Sequence, residues 1–138
     1  MFGALDTSTS GLVAQRTRAD VITANLANAN TVQDANGQNN PFRRRLAVLA
    51  PGDPTTGSAS GVHVHEIAMD MRPFNEKLAP GHPLAGQTAS KADHILTPNI
   101  DPMTEQVNML ETARAYEANI AAAEATKTMM QTSLRLIA

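Results

Sequence analysis

Helical periodicity is written at the two ends of this chain and almost nowhere between them. From about Phe2 to Asn28, and again from about Asp101 to Ile137, apolar residues recur at helical spacing. The intervening stretch, Ala29 to Ile100, is broken by Pro, Gly, Asn and Ser. Chain ends are ordinarily the loosest part of a domain. When they carry the best pattern, the two end segments are expected to pack against something beyond the chain.

Composition supports that expectation. The chain has 138 residues, enough for one domain with a small inserted lobe. Its apolar fraction is 42%, but aromatics make up 3%, with Tyr116 the one tyrosine and no Trp. Much of the remainder is Ala, which buries little area, and burial stabilises by roughly 25 cal/mol per Å². A monomer of this kind gains from oligomerisation. The formal net charge of −2 provides no field for nucleic acid or anionic lipid. No apolar run reaches the roughly 20 residues of a membrane span, so direct membrane insertion is not expected. The N-terminus lacks the basic and apolar regions of a secretory signal. There is no Cys, hence neither disulfide nor thiolate chemistry.

In the first segment Leu5, Leu12, Ala19 and Leu26 recur every seven residues, with Ser8, Gln15, Ile22 and Ala29 between them. Asp6, Thr7 and Ser8 suit the first turn. Gly11 lies inside the helix, where it costs up to about 1 kcal/mol relative to Ala. It is either a tolerated weak spot or a site of close backbone approach. The Asn28-Ala29-Asn30-Thr31 run is expected to end the helix, since Asn tolerates the left-handed conformation.

The middle reads as a small β lobe of hairpins. Strands are expected over Phe42–Leu49, Val62–Met69, Phe74–Leu78 and His94–Leu96, with a flexible loop over Pro51–Gly61 and a turn at Pro80-Gly81-His82-Pro83.

Asp101-Pro102 starts the last helix with an N-cap and a proline at the first helical position, and Glu105 adds charge to the first turn. Met109, Ala113, Tyr116, Ile120, Ala123, Lys127, Met130, Leu134 and Ile137 then form a heptad stripe that only Lys127 interrupts. Val107, Leu110, Ala118, Ala121, Ala125, Met129 and Leu136 form a second. A helix of roughly 50 Å with two apolar stripes can contact two neighbours.

The fold expected is therefore mainly α with a small β lobe. Residues 1–30 and 101–138 are expected to be helical, with 31–100 a β/loop region between them.

Little chemistry can be assembled from the residues. His63 and His65 share a strand face as a ligand pair would, but no Cys and no His-Glu-x-x-His supports a metal site. Solvated or edge-strand histidine is the plainer reading, and no metal or other cofactor is expected. Arg43-Arg44-Arg45 could hold a phosphate, but strand alternation sends the middle Arg to the opposite face, favouring edge protection or partner salt bridges. There is no Gly-x-Ser-x-Gly elbow, P-loop or Gly-x-Gly-x-x-Gly, so no catalytic residue is expected. The Asn residues carry more. Asn25 and Asn28 share a face of the first helix, and Asn108 and Asn119 lie on nearly one face of the last. An amide in an apolar seam weakens packing but fixes register.

Ser10-Gly11-Leu12-Val13-Ala14-Gln15-Arg16 with Val21-Ile22-Thr23-Ala24-Asn25-Leu26-Ala27-Asn28-Ala29-Asn30-Thr31 resembles the N-terminal signature of flagellar rod and hook proteins. Val107 to Asn119 resembles their paired C-terminal motif. Leu78-Ala79-Pro80-Gly81-His82-Pro83-Leu84-Ala85 and Leu96-Thr97-Pro98-Asn99-Ile100-Asp101 are similar to the proximal rod members of that group. Asp93-His94 departs from the Gly-Tyr pair usual before the Pro-Asn segment. The resemblance implies a structural subunit whose terminal helices, within 1–30 and 101–138, pair as one coiled-coil assembly domain, and whose copies assemble helically, with other rod proteins, into the rod that crosses the periplasm and transmits torque. It also implies passage through the flagellar type III export apparatus without a cleaved signal.

The residues expected to carry assembly are Leu5, Leu12, Ile22, Asn25, Leu26, Asn28, Asn108, Met109, Tyr116, Asn119, Ile120, Met130 and Leu134. Competing readings are another rod or hook-type axial protein, a cytoplasmic helical adaptor or export chaperone, and a metal-dependent enzyme using the four His.

Overall fold

A computed structural model describes residues 2–53, 58–86 and 89–137. The elements in chain order are α1 (Phe2–Ala27), β1 (Arg45–Asp53), β2 (Ser58–Met69), β3 (Asn75–Leu78), β4 (His94–Thr97) and α2 (Pro102–Ile137). The expected mainly helical chain with a small β region is thus what forms. β1 pairs with β2, and β3 pairs antiparallel with β4, matching Asn75 to Thr97 and Leu78 to His94. The second hairpin forms in spite of the Asp93-His94 departure.

The chain divides into two units. The first comprises Met1–Asp20, Ala47–Ile67 and Val107–Ala138; the second comprises Val21–Leu46 and Ala68–Gln106.

In the first unit α1 and α2 run antiparallel. Gly11 lies against Asn119, and Arg18 approaches Glu111 at 3.9 Å. Ala14 is buried here, as is the backbone at Gly11. The β1–β2 hairpin also meets α1: the Val62 N–H donates to Ser10 Oγ at 3.1 Å. Gly61 makes that approach possible. Its φ is +99°, and a Cβ there would stand 2.8 Å from Ser10 Oγ. The strands extend into part of Pro51–Gly61, which the sequence assigned to a loop: β1 continues through Pro51, Gly52 and Asp53, and β2 opens before Gly61. Residues 54–57 of that expected loop lie outside the described residues.

In the second unit Val21, Ile22, Leu84, Ile95 and Ile100 form the buried apolar set. β1 begins three residues later than the expected Phe42, because the backbone of Phe42 and Arg44 is engaged elsewhere. The Phe42 N–H donates to the Thr31 carbonyl at 3.0 Å and the Arg44 N–H to Asn99 Oδ1 at 3.0 Å.

Two helix-end expectations change. α1 starts at Phe2, ahead of Asp6, and the Thr7 and Ser8 hydroxyls donate back to the carbonyls of Gly3 and Ala4 rather than capping. At its far end no described non-glycine residue has positive φ, so no Asn takes the left-handed conformation. The Asn28 side chain closes the helix instead, donating to the Ala24 carbonyl at 2.8 Å. The start of α2 is as expected. Asp101 Oδ1 accepts the Met103 N–H at 3.2 Å, and Oδ2 accepts the Thr104 hydroxyl at 2.6 Å. Both bonds favour the ionised carboxylate and hold the Asp101 pKa below its ordinary value.

Candidate assembly interface

The side of α2 turned away from solvent is built, Met130 apart, from small and polar residues. Asn108, Thr112, Ala115, Asn119, Ala123, Thr126, Met130 and Ser133 are buried or half-buried, at spacings of three and four. Thr112 is 1% exposed, and its hydroxyl is satisfied by the Asn108 carbonyl at 2.7 Å. Close approach explains the choice. A Cβ at Gly11 would lie 2.7 Å from Asn119 Nδ2, so the gap between the helices admits no branched side chain there.

The largest apolar residues consequently point outward. From the first stripe Tyr116 is 38%, Ile120 36% and Leu134 67% exposed. Met109, Ala123 and Met130 are half-buried, and the Ile137 side chain lies outside the described residues. From the second stripe Val107, Leu110, Met129 and Leu136 are all exposed. Between the helices on this side runs a groove of about 390 Å³, floored by Ala19, Met109, Ala113 and Tyr116 and rimmed by Arg16 and Glu117. Gln15 Oε1 is buried beside it with no hydrogen-bond partner among the described residues. On α1, Leu5, Leu12 and Leu26 are half-buried and Ile22 is buried.

The second unit holds a polar cluster that the sequence reading did not assemble. Glu105 is 1% exposed, so the carboxylate read as first-turn charge is an interior group. Its Oε1 accepts Arg44 Nε–H at 2.8 Å, and its Oε2 accepts Asn25 Nδ2–H at 3.0 Å. Asn25 also donates to the Arg45 carbonyl at 2.8 Å and accepts the Arg45 N–H at 2.9 Å. Its amide therefore ties α1 to the strand and to the first turn of α2. Arg44 Nη1 stands 3.6 Å from Asp70 Oδ2. Asp70 in turn binds Arg72 through two side-chain nitrogens and the backbone N–H. The Arg72 guanidinium, with that N–H, holds the Asp70 pKa down to about 2. Asn99 donates to the Asp70 carbonyl at 3.2 Å, completing the ring.

The expected division of the arginine run by strand alternation does not form, because Arg43 and Arg44 precede β1. Arg44 enters this cluster and Arg43 joins it, its Nη1–H donating to the Asp70 and Arg72 carbonyls at 3.0 Å each with its guanidinium 4.2 Å from the Phe74 ring centroid, while Arg45 lies 5.1 Å from that of Phe42. The signal that could have exposed the cluster was Glu105 itself, a carboxylate one turn into a helix whose neighbouring face is apolar.

Four expected register residues therefore have separate placements. Asn25 is at the centre of the polar cluster, Asn28 ends α1, Asn108 is half-buried, and Asn119 fills the space left by Gly11. Two histidine nitrogens are engaged: His63 Nδ1 lies 2.7 Å from the Gly52 carbonyl oxygen, and His82 Nδ1 accepts the Leu84 N–H at 3.2 Å. Among the described residues no three His, Cys, Asp or Glu side chains are placed to share a metal ion. Among them, too, no helix is long and apolar enough to cross a membrane.

Comparison with known proteins bears directly on these helices. Residues 5–32 match the family described as flagella basal body rod protein, and residues 93–136 match the flagellar basal body rod FlgEFG protein C-terminal family. Three similar relatives each bear the name flagellar basal-body rod protein FlgC. That of Borreliella burgdorferi is 31% identical over 99% of this chain and 97% of its own. That of Bacillus subtilis is 34% identical over 98% and 97%, and that of Salmonella typhimurium 35% over 95% and 93%.

Proposed function

The chain belongs to the FlgC family of flagellar basal-body rod proteins, and from that premise we propose that its outward apolar stripes are the surfaces by which it assembles with other rod proteins and with copies of itself. It is a structural subunit of the flagellar rod. Residues 1–30 and 101–138 act as the assembly domain and 31–100 as a spacer. The subunit occupies the proximal rod, transmits torque, and performs no catalysis. Export proceeds through the flagellar type III apparatus.

The observation that carries this reading is the exposure of Tyr116, Ile120, Leu134 and Met129 on a helix that already meets α1 at Asn119. A chain with so few large apolar residues gains little by leaving them in water. A subunit that is marginal alone and stable in the assembly also suits passage through an export channel as an unfolded chain.

Fractionation tests the reading. A tagged copy is expected to co-purify with hook–basal bodies. Recovery from the cytoplasm alone would favour an adaptor or export chaperone and contradict a rod subunit.

A further inference from the structure

An exposed dipeptide in the second unit is chemically self-reactive. Asn36-Gly37 is the sole Asn-Gly in the chain, and both residues face water. An asparagine followed by glycine cyclises without an enzyme. The glycine amide nitrogen, once deprotonated, attacks the asparagine side-chain carbon. A new C–N bond forms as ammonia leaves, and a five-membered succinimide results. Water then opens either carbonyl of that ring, giving aspartate or isoaspartate. Glycine favours the step because no Cβ shields its nitrogen or restricts its backbone.

Asp34 restrains this reaction in the folded chain. Its Oδ1 accepts the Asn36 N–H at 2.9 Å and the Gln38 N–H at 3.0 Å, and its carbonyl accepts the Gly37 N–H at 3.0 Å. The Asp34 N–H donates to the Gln38 carbonyl at 3.1 Å, and Gln33 bridges antiparallel to Asn39. The nucleophile is the Gly37 nitrogen, and its proton is held by a carbonyl. Losing that proton breaks the hydrogen bond and leaves an amide anion close to the Asp34 carboxylate, an unfavourable pairing of like charge. Bringing the nitrogen onto the Asn36 side-chain carbon also requires rotation about the Asn36 Cα–C bond. The hydrogen bonds at Asn36 and Gly37 oppose that rotation while the turn is closed.

We propose that Asn36 is a site of spontaneous deamidation, suppressed by the Asp34 turn in the folded chain and released when this segment opens. The reaction records time spent unfolded. A chain that folds promptly keeps the amide, whereas a chain held open acquires a carboxylate two residues from Asp34. Isoaspartate adds a carbon to the main chain and so displaces Gln33 from its register with Asn39, a residue 5% exposed. Conversion therefore opposes closure of the same turn. The inference does not depend on the rod-subunit reading.

The test is peptide mapping by mass spectrometry of the full chain aged at neutral pH, in buffer and in guanidinium chloride. Conversion at Asn36 is expected to run about tenfold faster in guanidinium, the factor that about 1.4 kcal/mol of local opening free energy supplies. Asp34→Ala in buffer is expected to approach the guanidinium rate, with circular dichroism showing its helices intact. Gly37→Ala in guanidinium is expected to fall to the rate of the other asparagines. Equal wild-type rates in the two solvents overturn the inference. So does conversion in guanidinium that does not favour Asn36, or that Gly37→Ala leaves unchanged. An Asp34→Ala chain that keeps its helices and converts no faster than wild type also overturns it. If that variant unfolds, the wild-type comparison decides alone.

Discussion

The amide of Asn119 occupies the space that a side chain at Gly11 would need, with only 2.7 Å between a Cβ there and Asn119 Nδ2. The glycine is therefore the condition for the antiparallel approach of α1 and α2 in the first unit. Replacing it by Ala raises helix propensity by up to about 1 kcal/mol, but it forces the amide aside. A net loss of about 1 kcal/mol is expected for Gly11→Ala, and more for Gly11→Val, read as a shift in the urea midpoint at unchanged slope. Adding Asn119→Ala should recover most of the Gly11→Ala loss.

Arg44→Leu removes the cationic partner of a carboxylate that is 1% exposed. Stranding a buried charge costs about 3–5 kcal/mol, which approaches the whole stability of a small domain. Loss of cooperative thermal unfolding is expected. Arg44→Leu with Glu105→Leu should restore part of it, since a buried pair exchanged together for apolar residues is far better tolerated.

Acid should weaken the fold through Asp70. Its folded pKa is about 2, below the ordinary 3.8, because Arg72 binds the ionised form. A depressed carboxylate stabilises fully above its unfolded pKa and loses that contribution as pH falls toward the folded value. Stability is therefore expected to decline from about pH 4 to about pH 2, in steps with Asp101, which is lowered in the same direction. Asp70→Asn should start lower and show a flatter decline over that interval. An identical slope in denaturation midpoints measured from pH 2 to 5 would contradict the assignment.

Removing residues after Glu124 deletes the exposed Met129, Leu134 and Leu136 along with Lys127 and Arg135. The truncated chain is expected to be exported but not retained in basal bodies, so that cells lose motility on soft agar. Normal swimming from such a variant contradicts a role for these turns in assembly.

Much of this architecture is legible in the residues. The two end helices, the Asp101 cap and both hairpins follow from periodicity and turn chemistry. Strand alternation does not account for Arg43, Arg44 and Arg45, since β1 begins only at Arg45 and Arg43 and Arg44 both reach Asp70. What the residues do not reveal is which stripe of α2 faces α1. Apolar periodicity points to Met109, Tyr116 and Ile120, whereas the structure turns Thr112 and Asn119 inward. The choice depends on Gly11, a residue distant in sequence that removes the room a large side chain would need. The polar cluster is hidden for a similar reason. Asn25, Arg44, Asp70, Asn99 and Glu105 come from five separate segments; Asn25 reads as a seam amide and Glu105 as first-turn charge, and none of the five alone points to the others. Only their convergence makes them interior.

The most direct test concerns the outward stripe. Met129→Glu with Leu136→Glu alters two residues that are 61% and 84% exposed, and changes of that kind ordinarily shift monomer stability by no more than about 0.5 kcal/mol each. The measurement is the amount of this subunit in purified hook–basal bodies, set against the circular dichroism of the free chain. An unchanged spectrum with the subunit absent from the particles is expected. Wild-type occupancy of the particles by the double variant would contradict assembly through this face.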